Sequence, residues 1–137
     1  MRDRCDREED IVRAICDPAH YDREKQRISS CLFRQKDISV SRLAVLPLNE
    51  LFIIFFDHLN KGNSTVMAAG QINVGRLIDI AQDKGYDMFV EIDPLPAKDG
   101  KLPNPAHAEI PGDWKSKSKR ALAKAIIDEL QIHDAPT

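Results

Sequence analysis

The sequence predicts an α+β fold, a small mixed sheet of about five short strands covered by roughly three to four helices. Three observations carry this. Well-punctuated segments repeat apolar residues at helical spacing, others alternate β-branched and polar residues, and the resulting order of elements is not a strict strand–helix alternation. With 137 residues, 42% hydrophobic and 31% charged, the chain suits one core in a globular protein.

Residues 1–27 read as a charged N-terminal extension. Ile11, Val12 and Ile15 have helical spacing and predict a short helix ending before Asp17-Pro18, with mobile residues ahead of it and a surface connection from His20 to Arg27. The single α+β domain is expected over residues 28–133. Alternation between Cys31 and Leu46 predicts a hairpin turning at Gln35-Lys36-Asp37, closed by Pro47. Residues 50–60 predict a helix, with Asn49 as N-cap, Glu50 complementing the dipole and Gly62 ending it. Leu51, Phe52, Phe55, Phe56 and Leu59 would make this the most buried helix. A strand is expected from Thr65 to Ala69. A second helix carries Val74, Leu77, Ile78 and Ala81 and stops at Gly85. Met88 to Ile92 and Ala106 to Ile110 read as strands bounded by prolines, and Lys115 to Gln131 as the last helix, striped by Leu122, Ile126 and Leu130.

The formal charge of −2 provides no global attraction to nucleic acid or anionic membranes. The N-terminus MRDRCDREED lacks an apolar core, and no apolar run approaches the ~18 residues that span a bilayer. Membrane partners are therefore not expected. Three cysteines, an odd number, fit reduced thiols and a cytoplasmic location.

Asp93 to Lys119 holds five of the chain's eight prolines and leads through His107 into a lysine cluster. Prolines fix φ and withhold backbone donors, so such a loop is shaped to present something. In NPAHAEI, His107 is a candidate acid or base, because its ordinary pKa lies near neutrality. Asn104 can orient the ring, while Ser41 or Arg42 would have to converge on it from another strand. The structural alternative is an Asn-Pro turn with His107 bonded to the backbone.

Strand parity in ISVSR puts Ser39 and Ser41 on one face and Ile38, Val40 and Arg42 on the other. Arg42 is a candidate for bidentate binding of a phosphate or carboxylate, or else an ion-pair partner at a sheet edge. Lys115, Lys117, Lys119 and Arg120 form a candidate binding cluster. Cations at a helix start oppose the macrodipole, so this placement suits a phosphate or nucleic-acid backbone as well as a solvated helix end. Cys5, Cys16, His20 and Cys31 have zinc-ligand chemistry but lack closely spaced pairs, and no metal is expected. With isolated glycines, no P-loop or dinucleotide fingerprint exists, and no cofactor is expected.

The succession SSCLF, ISVSR, DPLP and NPAHAEI, followed by a lysine-rich terminal segment, resembles a family of small bacterial proteins without an established activity. The resemblance covers roughly residues 28–130. It points to Ser30, Phe33, Ser39, Arg42, Asp93, Pro94, Pro96, Asn104, Pro105 and His107. The chain departs from the family pattern in the AKDGKLP insert between the last two elements and in its charged N-terminus.

Three functional readings follow. One is an accessory protein that docks onto a larger protein partner through residues 93–119. A second is a small enzyme acting on a phosphate-containing or nucleotide substrate, with His107 as acid–base and Arg42, Asn104 and Ser41 beside it. The third is a nucleic-acid-binding module.

Overall fold

The segment DIVRAICD is apolar on both of its faces because it lies at the centre of a sheet. In the computed structural model, which describes residues 2–137, it forms strand β1 (Asp10–Asp17), with Ile11 to Cys16 all buried. The expected short helix at Ile11–Ile15 is thus a strand. A β-strand covered on both sides has a continuous apolar run, which mimics helical spacing over so few residues.

The other strands are β2 (Tyr21–Asp22), β3 (Arg27–Ile28), β4 (Lys36–Arg42), β5 (Thr65–Asn73), β6 (Glu91–Ile92), β7 (His107–Asp113) and β8 (Gln131–Asp134). Six of them form one sheet in the order β6-β7-β4-β1-β5-β8, and β2 pairs with β3 in a separate hairpin. Every pairing is antiparallel, so the sheet is not mixed. Helix α1 (Leu48–Leu59) covers one face, where Leu51, Phe52 and Phe55 pack on Val12, Ala14, Val66 and Ala69. Helices α2 (Val74–Asp83) and α3 (Arg120–Asp128) cover the other, where Leu77, Ile80, Leu122 and Ile126 pack on Ile11, Ile15, Ile38 and Ile110. The protein is α+β, as the order of elements implied.

Local chemistry explains most boundaries. Asn73 caps α2 by accepting the Arg76 amide at 3.0 Å, and Gly85 takes a φ of +87° beyond its end. Pro47, rather than Asn49, occupies the N-cap of α1, without a side-chain cap bond. Ile53 on α1 is 59% exposed, so the apolar face is narrower than the run LFIIFF implies.

Three further expectations change. The predicted hairpin has only one strand, β4; Ser30–Phe33 is a 3-10 turn capped by the Ser29 hydroxyl, which accepts the Cys31 amide. Alternation there was too short to separate a 3-10 turn from a strand. The last helix begins at Arg120, not Lys115, and ends at Asp128, after which Gln131–Asp134 joins the sheet edge as β8. Asp113 accepts the Lys115 amide at 3.0 Å, a turn closing β7 rather than a helix cap. Lys117–Lys119 form a 3-10 turn that leads into the helix, so Lys115 and Lys117 lie ahead of it while Lys119 is its N-cap and Arg120 its first residue. Finally, the N-terminal residues belong to the fold. Cys5 N donates to Val90 O and Ile92 N to Asp3 O, both at 2.8 Å.

Candidate functional site

β1 and β4 pair over only Ile11↔Arg42 and Val12↔Ser41, whereas β4 continues along β7 and β1 along β5. The strands then diverge, and Arg13 fills the opening. Its Nε donates to Leu32 O at 2.6 Å and its Nη1 to Ser39 O at 2.7 Å. On the α1 side of this seam lies a cavity of about 330 Å³, whose walls include Val12, Ala14, Val40, Phe55, Leu59 and Leu95. Arg13, His20, Ser39, Ser41, Asn104 and His107 supply polar groups.

The segment 93–106 folds back as a roof. Leu95 and Asn104 exchange backbone hydrogen bonds at 2.9 Å, and Asp57 on α1 accepts the Leu102 amide at 2.7 Å. The proline-dense loop thus shapes a cavity wall with Leu95 and Asn104. Asn104, 3% exposed, donates to Ser41 Oγ at 3.1 Å and accepts the Ala106 amide at 3.1 Å.

The register Ser41↔His107 puts the His107 ring on the same face as Ser41 and diagonal to Ser39. Nδ1 lies 2.8 Å from Asp93 O, which can only accept, so Nδ1 carries the proton of the neutral ring. Nε2 then accepts from the Ser39 hydroxyl at 3.1 Å. The Asp93 carboxylate stands 3.3 Å from Nδ1 and suits an imidazolium. The Ser39 hydroxyl, the ring and the Asp93 main-chain oxygen thus form one hydrogen-bonded line, with the Asp93 carboxylate beside Nδ1 and 3.6 Å from Arg2 Nη2.

Arg42 does not join this group. The Glu9 carboxylate accepts from its Nε and Nη2 at 2.8 and 2.9 Å, and this pair keeps Glu9 below the usual carboxylate range while raising Arg42. One residue beyond Ser41, Arg42 projects from the opposite sheet face, so its expected place beside His107 is replaced by a structural ion pair. The basic cluster is also elsewhere. Lys119 Nζ sits 5.1 Å from the Trp114 ring centroid and contacts Asp113 O. Arg120 lines a second, polar cavity with Asp22, Lys25, Lys124 and Asp128. The cysteine–histidine set is dispersed: Cys5 and Cys16 belong to opposite apolar clusters and Cys31 is exposed. Among the described residues, no three His, Cys, Asp or Glu side chains gather as metal ligands.

His20 is neutral in the fold. Burial, then the Arg13 charge, pushes its ring down to about 4 from 6.5, and Nδ1 accepts the Cys16 amide at 3.1 Å. The unfolded ring binds a proton that the folded ring refuses between those values. Stability is therefore complete above pH 6.5 and declines as pH falls toward 4. The loss is on the order of 2 kcal/mol, allowing for partial solvent screening. His20→Asn keeps an acceptor for Cys16, and urea titrations between these limits should show the slope flattened.

No protein-family model, curated protein or solved structure matches the chain. Among the described residues, no helix is long and apolar enough to cross a membrane.

Of the site residues expected from sequence, Ser41, Asn104 and His107 come together. Ser39 and the main-chain oxygen of Asp93 complete the hydrogen-bonded line. Arg13 and His20 were not anticipated as members of the site. The available signal was an arginine within the otherwise apolar IVRAIC, visible only once that segment is read as a strand.

Proposed function

We propose that the chain is a small acid–base enzyme in which His107, oriented by Asp93, draws the proton from the Ser39 hydroxyl toward a substrate in the α1-side cavity. One observation carries this reading: His107 joins Ser39 at 3.1 Å on Nε2 and Asp93 on Nδ1, within a cavity. A hydroxyl is a weak nucleophile at its ordinary pKa and gains reactivity when a positioned base takes its proton. The reaction class is acyl transfer. Ser39 Oγ forms a bond to the substrate carbonyl carbon as the leaving-group bond breaks, and His107 passes the abstracted proton to the leaving group. Water then repeats the steps to release the acyl group.

This reading replaces the nucleotide substrate with a smaller one, because the basic cluster lies outside the cavity. Docking to a larger protein has less support. Residues 93–106 fold onto the chain's own α1, and among the described residues the exposed large apolar side chains are Val45, Ile53, Leu102 and Ile132, too few to mark an extensive docking face.

A fluorophosphonate probe, which labels activated serine hydroxyls, tests the proposal by mass spectrometry. Label is expected on Ser39, and His107→Gln should slow labelling by about 10²–10⁴-fold, the usual contribution of a positioned base. An unlabelled Ser39, or labelling indifferent to His107→Gln, would remove the nucleophile–base assignment.

A further inference from the structure

The same cavity contains a charge that no carboxylate among the described residues balances. Arg13 is 7% exposed and makes its two hydrogen bonds to backbone carbonyls, Leu32 O and Ser39 O. These occupy Nε and one of the two Nη1 protons but do not neutralise a cation. Among the described residues, no carboxylate lies within ion-pair distance of the guanidinium, and Nη2 has no protein acceptor. Burial accordingly pushes Arg13 down to about 10. Buried charges are ordinarily paired, since desolvation is repaid only by an opposite charge in good geometry.

The cavity's charge composition points the same way. Its lining includes Arg13 and three of the chain's four histidines, His20, His58 and His107, but no aspartate or glutamate. An acidic or strongly cationic ligand would meet opposite receptions here. The volume of about 330 Å³ lies at the small end for ligand sites, and Val12, Ala14, Val40, Phe55, Leu59 and Leu95 make much of its wall apolar. A nucleotide's sugar and phosphates would find few polar partners along such walls. A small organic acid with an apolar body fits both its charge and its walls.

We infer that Arg13 is the anchor for a substrate carboxylate, and that the cavity selects small monocarboxylates with an apolar body, the ester or amide carbonyl that Ser39 would attack being a separate group of the same molecule. The guanidinium's free Nη2 edge can receive the carboxylate, with Nη1 sharing a second proton. Because Nη1 is already fixed on the backbone oxygen of Ser39, a substrate held there is registered against the Ser39 hydroxyl. The inference rests on the enzymatic reading for calling the ligand a substrate; the binding itself requires only the cavity and Arg13.

The test compares each carboxylate with its neutral amide of nearly the same shape: benzoate with benzamide, and hexanoate with hexanamide. Binding to the full chain is measured by calorimetry and by the resonances of Arg13, Ser39, Asn104 and His107. At least one carboxylate is expected to bind ten-fold or more tightly than its amide, a difference worth about 1.4 kcal/mol, and to shift those resonances. Arg13→Met should erase the preference, and Arg13→Lys should retain part of it. Ser39→Ala and His107→Gln should still bind carboxylate, which separates this inference from the catalytic one. Ser39 can fail to react with a fluorophosphonate while carboxylate binding holds, or the reverse.

Equal affinity for acid and amide in every pair, or a carboxylate preference that survives in folded Arg13→Met, overturns the assignment. So does inorganic phosphate that displaces benzoate at equal concentration, because an apolar body would then count for nothing. Should Arg13→Met fail to fold, the acid–amide comparison on the unaltered chain decides.

Discussion

Trp114→Ala is expected to lower the unfolding free energy by about 3–5 kcal/mol, the cost of emptying a large aromatic site. The indole is 6% exposed and packs edge-on against Tyr86 at a centroid distance of 6.1 Å. Its Nε1 donates to Pro111 O at 3.1 Å, which fixes the ring across the end of β7. Gly112, at a φ of +118°, brings the backbone so close that a Cβ there would meet Nε1 at 3.2 Å. The same ring seats Lys119, whose ammonium lies 5.1 Å from its centroid. Removing the indole therefore empties a core site and frees one member of the basic cluster together. Since the chain has a single tryptophan, the variant must be followed by far-ultraviolet dichroism in urea rather than by tryptophan emission. Trp114→Phe should retain most of the stability, giving up about 1 kcal/mol for the hydrogen bond. If Trp114→Ala unfolds with the same midpoint and slope as the parent, the ring is not part of the core.

Arg42→Ala should cost about 2–3 kcal/mol, for a different reason: it strands the Glu9 carboxylate, whose side chain is 11% exposed. Arg42 itself is 18% exposed, so the pair is far from the surface regime in which ion pairs contribute little. The pH dependence has a definite sign. Glu9 is held below the usual carboxylate range in the fold, so its contribution is complete above the ordinary glutamate value and is lost as pH falls through the folded value. Arg42→Ala should remove this acid limb, and Glu9→Gln should remove it too, with the double variant less destabilised than the sum. Ser39 labelling is expected to be unchanged in Arg42→Ala, because the ion pair lies on the sheet face opposite the cavity. Loss of labelling without loss of stability would return Arg42 to the site.

Helix α2 was legible because its stripe, cap and stop agree: Val74, Leu77 and Ala81 are buried, Asn73 caps and Gly85 ends the turn. Strand β1 was not, since its apolar run carries no period that distinguishes a strand buried on both faces from a helix. That misreading also hid Arg13, which as a helical residue would have been one more surface charge. Parity within ISVSR correctly separated Ser39 and Ser41 from Arg42, and this already argued against Arg42 working with Ser41. What parity could not supply was convergence. Ser39 and His107 are 68 positions apart, and Arg13 enters from a third segment through a gap in strand pairing. The lysines misled in part: Lys115 and Lys117 lie ahead of the helix, and only Lys119 at its N-cap and Arg120 at its first position meet the positive end of its dipole.

The short pairing of β1 with β4 also has a mechanical side. A continuous ladder would make the six strands one plate, stiff against bending along its whole width. Joined over two residue pairs, they form instead two three-stranded plates that share a corner. Arg13 spans the wide end as a strut, tied to Leu32 O and Ser39 O. Among the described residues, Arg13 is thus the one side chain whose hydrogen bonds tie β1 to the β4 plate beyond their two paired residues, and its length bears on the width of the space beside it.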